Sequence, residues 1–306
     1  MRELKIPISS FSFATAGVRV AREMGIFEKY HLNANVVLMD SGNAAISALI
    51  GGAAEVVLTG PGEIVAARGR GQAVVIVADV YRGLGASLVL SKAAAAKLKV
   101  KSDAPVAERL KALDGLLIAS ASATSAYTVA FKGAAESQGA NIRFSYMAQP
   151  AMVAALESGA IDGFIAGAPF WGISVTKGNA ELWLSGPKGD LPKQNTPVST
   201  LSFQATEDFA AKNPDLMDKL IAVTQDLGTA VRERPEDVKK ALAKLYPDVD
   251  VKSLDLLFAA ESPAWESKPL TKEDMAHEIA FVKSMGISLP QIDSVDPADL
   301  LFKKED

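Results

Sequence analysis

Residues 48–61 read ALIGGAAEVVLTGP, and residues 155–171 read ALESGAIDGFIAGAPFW. When the first phrase is shifted by 107 positions, which places residue 48 on residue 155, the residues at five positions are identical. The matching residues are Ala48, Leu49, Gly52, Ala53 and Gly60 with Ala155, Leu156, Gly159, Ala160 and Gly167. Each phrase is typical of a helix that ends in a glycine turn, a short buried strand, and a Gly/Pro loop that opens the next helix. The repeat therefore predicts two lobes of similar topology.

The composition predicts a folded protein with a large core. Hydrophobic residues make up 49% of the 306 residues and charged residues 22%, which excludes the class of highly charged, disordered chains. The net charge of −4 gives no support for a nucleic-acid partner. The absence of cysteine excludes disulfides, thiolate metal sites and cysteine nucleophiles. No run of about 18 uncharged apolar residues occurs, so we expect no transmembrane helix.

Strand and helix patterns alternate along most of the chain. The run AVVIVADV at 73–80 is continuous and apolar, which is typical of a strand covered on both faces of a parallel sheet. From residue 207 onward the pattern is helical, and a helical tail without strands must pack on a lobe that is already built. We therefore predict an α/β fold with two lobes, each a mixed, mostly parallel sheet flanked by helices. Lobe one comprises 1–88 and 200–306, lobe two comprises 89–199, and two crossings near 85–88 and 196–201 form a two-strand hinge.

Three stretches resemble a known family. The stretch MGIFEKYHLNANVVLMDSG at 24–42 and the phrase at 48–71, with its Arg-Gly end, are similar to the first lobe of periplasmic solute-binding proteins of ABC importers. The phrase at 155–171 is a weaker match to their second lobe. The closest branch is that for nitrate, sulfonate, taurine and thiamine-pyrimidine precursors, and the resemblance covers about residues 3–205. It implies a two-lobed periplasmic-binding-protein-like fold of type II.

The resemblance also implies a function. We expect a non-enzymatic receptor that captures a small organic anion between two lobes and delivers it to a membrane permease, as a monomer without a cofactor. The loop at 167–171 lacks the acidic residue that often precedes the Pro in this family, which favours an anion or a neutral molecule. A sulfonate, a taurine-like solute and an aromatic carboxylate remain open. The receptor would be periplasmic or extracytoplasmic, although residues 2–9 already read as a strand and we expect no signal peptide in this sequence.

Four loops are candidates for ligand contact, because ligands of open α/β sheets bind beyond the carboxyl ends of strands and near helix N-termini. They lie at 9–13, 59–62, 120–127 and 167–171. The predicted contacts are Ser10, Phe11, Ser12, Phe13, Thr59, Gly60, Pro61, Ser122, Thr124, Ser125, Tyr127, Pro169, Phe170 and Trp171. Arg82 is the best single counter-charge for a carboxylate or sulfonate, since it follows the strand at 73–80.

Each candidate also has an ordinary structural interpretation. Serine and threonine at a helix start are often N-caps, and Arg82 is equally compatible with a solvated surface position. Phe11 and Phe13 alternate, so at least one points into the core, and the rings of Phe170 and Trp171 are also compatible with packing between helices.

Catalysis has little support in the sequence. His31 and His277 have no Ser/Asp constellation around them, and no Walker A, G-x-S-x-G or H-E-x-x-H motif occurs, so we expect no catalytic residue and no metal site. Two alternatives remain: an enzyme like the thiamine-pyrimidine synthases, or a ligand-sensing domain of a signalling system. The synthases of this branch carry a cysteine-rich motif, and a chain without cysteine departs from it.

Overall fold

The computed structural model describes residues 1–9, 12–39, 41–266 and 268–303. The chain forms two compact units. The first contains Met1–Arg82, Val198–Pro247 and Ser262–Asp306, and the second contains Gly83–Pro197 and Asp248–Glu261. The chain therefore passes from one unit to the other at 82–83, 197–198, 247–248 and 261–262.

In the described residues each unit contains one five-stranded sheet. In chain order the strands are β1 (Arg2–Ile8), β2 (Leu32–Leu38), β3 (Val57–Thr59), β4 (Val74–Arg82), β5 (Ser87–Ser91), β6 (Leu117–Ser120), β7 (Arg143–Tyr146), β8 (Gly163–Ala166), β9 (Ala180–Ser185) and β10 (Ser199–Thr206). The first sheet has the order β2-β1-β3-β10-β4, and the second has the order β7-β6-β8-β5-β9. The first three strands of each sheet are parallel, and the other two pairings are antiparallel.

The antiparallel pairings have a simple cause. Strand β10 follows the passage at 197–198 and strand β5 follows the passage at 82–83, so each sheet receives one strand that does not belong to its β/α series. The predicted parallel character therefore holds for β1–β3 and β6–β8 and ends at these inserted strands. The α/β class with two lobes is confirmed.

Helices cover the sheets. In chain order they are α1 (Phe13–Glu23), α2 (Ile26–Lys29), α3 (Gly42–Ile50), α4 (Pro61–Arg68), α5 (Lys92–Lys97), α6 (Val106–Lys111), α7 (Ala126–Glu136), α8 (Gln149–Glu157), α9 (Phe170–Thr176), α10 (Glu207–Lys212), α11 (Pro214–Glu233), α12 (Pro235–Leu245), α13 (Val251–Glu261) and α14 (Lys272–Ser284). Their ends follow local chemistry: Ser41 caps α3 by accepting a hydrogen bond from the Ala44 N–H (3.1 Å), and Pro61 is the first residue of α4. Within the described ranges, none of these helices combines the length and apolar character needed to cross a bilayer.

The repeated phrase has the same geometry in both units. Gly52 and Gly159 adopt φ values of +73° and +74°, the left-handed conformation that glycine tolerates best. The Ala53 N–H donates to the Ala48 carbonyl (2.8 Å), and the Ala160 N–H donates to the Ala155 carbonyl (2.9 Å). The same helix-ending turn therefore precedes β3 and β8.

The apolar run at 73–80 is buried for a different reason than the sequence indicated. It forms β4, which is an edge strand paired antiparallel with β10. The C-terminal tail covers it: Leu301 forms a β-bridge with Ile76, and the Phe302 N–H donates to the Ile76 carbonyl (2.9 Å). An edge strand can thus have the continuous apolar sequence of a central strand when another segment covers it.

The helical tail is divided between the two units, whereas the sequence analysis assigned all of it to lobe one. Helix α13 groups with the second unit and packs on α9. A Cβ on Gly172 would lie 2.6 Å from Leu257, and the Thr176 and Ser253 hydroxyls are hydrogen-bonded (2.6 Å). The glycine in α9 therefore gives α13 a close contact that hydrophobic periodicity alone does not reveal.

Candidate functional site

The loop after β6 is organised by one buried threonine. The Thr128 hydroxyl donates to the Ser122 carbonyl (2.6 Å), and the hydroxyls of Ser120 and Ser125 lie 2.6 and 2.8 Å from it. Because Thr128 has a single hydroxyl proton, Ser120 and Ser125 donate theirs to it. Ser125 also accepts the Thr128 N–H (3.1 Å) as the N-cap of α7. The loop at 121–125 is therefore held at the carboxyl end of β6.

The same loop presents unused hydroxyls. Ser122 and Thr124 are exposed, and among the described residues their side chains have no protein hydrogen-bond partner. They lie beside the first turn of α7, where backbone N–H groups carry partial positive charge. Ser122, Thr124 and Ser125 thus stand at an edge that is chemically suited to an anion, and their contact with a ligand stays a prediction.

The loop after β8 continues this edge. The Gly167 N–H donates to Gln149 Oε1 (3.1 Å) at the first turn of α8, and a Cβ on Gly167 would lie 3.9 Å from the Tyr127 hydroxyl. The structure thus brings Tyr127 of α7 next to the loop at 167–169. Gln149 is absent from the sequence-predicted contacts, although its place directly after the loop that follows β7 could have indicated it.

The rings after β8 are less available than the sequence suggested. Pro169 and Phe170 are half-buried. Trp171 is 0% exposed, and its Nε1–H donates to Glu261 Oε1 (3.1 Å) at the end of α13. Trp171 is therefore a packing residue of the second unit, and its predicted place against a ligand does not fit this burial.

The loop after β3 satisfies its own polar groups. Thr59 is 1% exposed, and its hydroxyl donates to Gln204 Oε1 (2.6 Å). Gln204 Nε2 in turn donates to the carbonyls of Thr59 and Gly60 (3.0 Å each). Pro61 is buried and has no N–H to offer. The predicted hydroxyl donor of this loop is thus committed to β10.

An internal carboxylate also occupies the Thr59–Gly60 turn. Glu63 lies in the first turn of α4, and a Cβ would lie 2.5 Å from its Oε1 at Gly42 and 2.7 Å from its Oε2 at Gly60. Burial raises the pKa of Glu63, and hydrogen bonds from its own N–H and the Gly60 N–H oppose that rise. The Glu63 carboxyl group therefore already lies at the Gly60 turn that was predicted to bind a ligand anion. A glycine followed three residues later by Glu is the spacing that could have indicated this.

The loop after β1 is described only in part. Ser10 and Phe11 lie outside the described residues. The Ser12 carbonyl accepts hydrogen bonds from the hydroxyls of Thr15 and Tyr246 (2.9 Å each). Phe13 is 0% exposed and stacks between Tyr246 and Trp265, with ring centroids 5.3 and 5.7 Å away. Phe13 is thus a core residue of the first unit, and its predicted role as a ligand-covering ring does not fit this position.

Arg82 is paired within the first unit. Its guanidinium contacts Asp274 with both nitrogen–oxygen distances near 3 Å (2.9 and 3.0 Å) and lies 3.3 Å from Asp79. Asp79 also accepts the Ser199 hydroxyl (2.7 Å). Burial raises the pKa of Asp79 to about 6, and Ser199 and Arg82 oppose the rise. Two carboxylates therefore neutralise the cation that the sequence analysis assigned to a ligand.

A further buried acid lies near this pair. Glu278 of α14 is 2% exposed, and its Oε2 accepts the Val198 N–H (2.8 Å). Burial raises the pKa of Glu278 to about 8, and the charges of Glu63 and Asp79 add to the rise against the Val198 hydrogen bond. No sequence motif marks Glu278, because a single acid in an amphipathic helix normally indicates its solvated face.

A cavity in the first unit lies apart from these loops. A surface cavity of about 260 Å³ is lined by Glu3, Lys5, Asn35 and the turn at 52–55, at the amino ends of the parallel strands. It is on the opposite edge of the first sheet from the loops described above. No group of three or more His, Asp or Glu among the residues of known placement is arranged to hold a metal ion.

Comparison with known proteins decides the family. The model of the NMT1-like family matches residues 11–246. The chain belongs to the NMT1-like family. This confirms the family predicted from the stretches at 24–42, 48–71 and 155–171. A search of curated protein sequences found no match.

Three solved structures similar to this NMT1-like chain are named as binding proteins. The periplasmic aliphatic sulphonate-binding protein SsuA from Escherichia coli is 16% identical with a TM-score of 0.74, over 98% of this chain and 99% of that chain. The alkanesulfonate-binding protein SsuA from Xanthomonas axonopodis pv. citri, bound to MOPS, is 16% identical with a TM-score of 0.72, over 98% of both chains. The periplasmic nitrate-binding protein NrtA from Synechocystis is 16% identical with a TM-score of 0.64, over 97% of this chain and 86% of that chain. At this identity the likenesses establish the fold.

Proposed function

We propose that this NMT1-like chain is the solute-binding receptor of an ABC importer and that its solute is a small organic anion. The family match and the three binding proteins of the same fold support the receptor function. The receptor is non-enzymatic, acts outside the cytoplasm as a monomer, and passes its solute to a membrane permease. The synthase-like enzyme and the sensory domain gain no support from these relatives, which are named for binding.

The observation that carries the anion proposal is the loop at 121–125. It combines the exposed hydroxyls of Ser122 and Thr124 with the N-terminal turn of α7 at the carboxyl edge of the second sheet. Hydroxyl and backbone N–H donors to a charged acceptor contribute about 1.5–3 kcal/mol each, more than donors to a neutral group. An acid group bound here would meet the Ser122 and Thr124 hydroxyls without displacing a protein partner, since neither hydroxyl has one among the described residues.

The polar groups of the first unit support the same assignment, because those predicted to bind an anion already have partners in the protein. The Glu63 carboxyl group lies close to Gly60, the Thr59 hydroxyl donates to Gln204, and Arg82 is paired with Asp79 and Asp274. A ligand anion placed at the Thr59–Gly60 turn would approach a carboxyl group. We therefore assign the acid group of the solute to the second unit alone.

A thermal-shift screen tests the proposed function. The purified protein is heated with alkanesulfonates, taurine, aromatic sulfonates and carboxylates, and nitrate at millimolar concentration, with the matching alcohols and amines as controls. A ligand at 100 times its Kd stabilises the folded state by about 2.7 kcal/mol, so at least one organic acid is expected to raise the Tm by several degrees. If no acid raises the Tm, or if amines stabilise as well as acids, the proposal is contradicted.

A further inference from the structure

Tyr146 is an exposed aromatic residue beside the anion-binding edge of the second unit. It is the last residue of β7, and its side chain is 48% exposed, which is unusual for a large ring at the end of a strand. Its ring stacks on that of Phe144, with centroids 6.1 Å apart and an interplanar angle of 3°. About half of Tyr146 thus remains exposed while its ring stacks on Phe144.

The strand register places this surface next to the loop at 121–125. Tyr146 pairs with Ser120 in the parallel β6–β7 ladder, so their Cα atoms are about 4.8 Å apart. In-register neighbours of a parallel pair point to the same face of the sheet, and the Ser120 hydroxyl points to Thr128 of α7. Tyr146 is therefore on the α7 face, and Ser122 follows Ser120 by two residues.

A second tyrosine stands on the other side of the same helix start. Tyr127 is the second residue of α7, and its hydroxyl reaches the β8 loop at Gly167. The loop at 121–125, called the hydroxyl loop below, is thus flanked by Tyr146 on the β7 side and Tyr127 on the β8 side. Of the rings expected from the sequence to cover a solute, Phe13 and Trp171 are 0% exposed, Phe170 is half-buried, and Phe11 lies outside the described residues. Tyr146 is thus a further ring that is available to cover a solute.

From this arrangement we propose that Tyr146 determines specificity and that it selects flat, aromatic acids. The acid group binds at Ser122, Thr124 and the start of α7, and the ring of the solute stacks on Tyr146, backed by Phe144. This inference rests on the proposed function and specifies the class of acid. Offset stacking of two rings with centroids about 4.5–7 Å apart is favourable beyond the area that it buries. A short aliphatic acid would bind by its acid group alone.

The test is a pair of ligands that share one acid group. Benzenesulfonate and ethanesulfonate are titrated calorimetrically into the parent, Tyr146→Ala, Tyr146→Phe and, as a matched exposed apolar residue of the same unit, Val251→Ala. We expect the parent to prefer benzenesulfonate, and Tyr146→Ala to weaken benzenesulfonate about tenfold while changing ethanesulfonate less than about twofold. Tyr146→Phe and Val251→Ala should bind both sulfonates like the parent.

The outcomes separate the two proposals. If the parent prefers ethanesulfonate, or if Tyr146→Ala keeps the preference of the parent or weakens both sulfonates equally, the role of Tyr146 is overturned while the receptor function stands. If the parent binds neither these sulfonates nor any acid of the thermal-shift screen, the proposed function is overturned together with this inference. Because Tyr146 is exposed, its variants are expected to fold, and an unchanged Tm without ligand checks this.

Discussion

At the scale of single residues, three carboxyl groups of the first unit have raised pKa values. Burial raises the pKa values of Glu63, Asp79 and Glu278. Arg82 forms ion pairs with Asp79 and Asp274. Glu278 and Asp79 hold Val198 and Ser199, the first residues of the chain after its return to this unit at 197–198. Glu278 and Asp79 therefore hold the chain by hydrogen bonds at the start of β10.

The raised pKa of Glu278 predicts a pH-dependent stability. In the folded protein this carboxyl keeps its proton up to about pH 8, whereas in the unfolded chain it loses the proton near 4.5. Between about pH 4.5 and pH 8 the folded state thus binds more protons than the unfolded state. The free energy of unfolding therefore falls as the pH rises through this range, by up to about 1.4 kcal/mol per pH unit. Asp79 acts in the same direction between about 3.8 and about 6.

Glu278→Gln isolates this effect. The variant cannot ionise, so we expect its Tm to fall less than that of the parent between about pH 6 and pH 8, measured by calorimetry. Glu273→Gln, which removes an exposed acid from the same helix, should follow the parent. Identical pH profiles of Glu278→Gln and the parent would show that Glu278 is ionised in the folded protein.

At the scale of secondary-structure elements, both sheets contain the same repeated segment, a helix, a glycine turn and a strand. Gly52 and Gly159 have positive φ, and a Cβ at either position would meet no atom within 4 Å. Any loss of stability caused by a side chain at these positions therefore comes from backbone strain and not from a steric clash. The sequence predicted this element because its glycines are a local signal, and local signals do not depend on tertiary packing.

Alanine substitutions measure that strain. We expect Gly52→Ala and Gly159→Ala each to lower the free energy of unfolding by about 1–2 kcal/mol, in chemical denaturation, because an L-residue is disfavoured in the left-handed conformation. Gly51→Ala is the control for backbone conformation, since Gly51 has φ −76°, and any loss of stability there comes from the Ser47 carbonyl oxygen, 3.1 Å from the added Cβ. Equal effects at Gly51 and Gly52, or a stabilised Gly159→Ala, would contradict the equivalence of the two turns.

At the scale of the whole molecule, the two lobes and the helices of the tail could be predicted from periodicity, glycine position and internal repetition. The family could be predicted only from the resemblance of the stretches at 24–42, 48–71 and 155–171 to known proteins. It did not predict that α13 packs with the second unit, because the contact of Leu257 with Gly172 joins residues far apart in the chain. The exposure of the predicted rings could not be predicted from the sequence. Whether Phe13 or Trp171 is exposed depends on tertiary neighbours, Tyr246 and Glu261, that no local pattern indicates.

The same limit applies to the charges of the candidate site. Arg82 stands alone in its stretch of sequence, and its partner Asp274 comes 192 residues later. Glu63 was close enough in sequence to be noticed, but its position at the Gly60 turn also needs Gly42 to leave room. Pairing across long sequence separations therefore decided which predicted donors stay available to a solute.

Calorimetric titration of the hydroxyl loop tests the central claim most directly. The acid that raises the Tm most in the screen is titrated into the parent, the double variant Ser122→Ala/Thr124→Ala, and Ser158→Ala, which removes an exposed serine hydroxyl elsewhere in the second unit. We predict one site per chain in the parent and in Ser158→Ala, and a Kd at least about tenfold higher in the double variant, because two donors to a charged group are lost. A double variant that binds the acid as tightly as the parent would contradict the account.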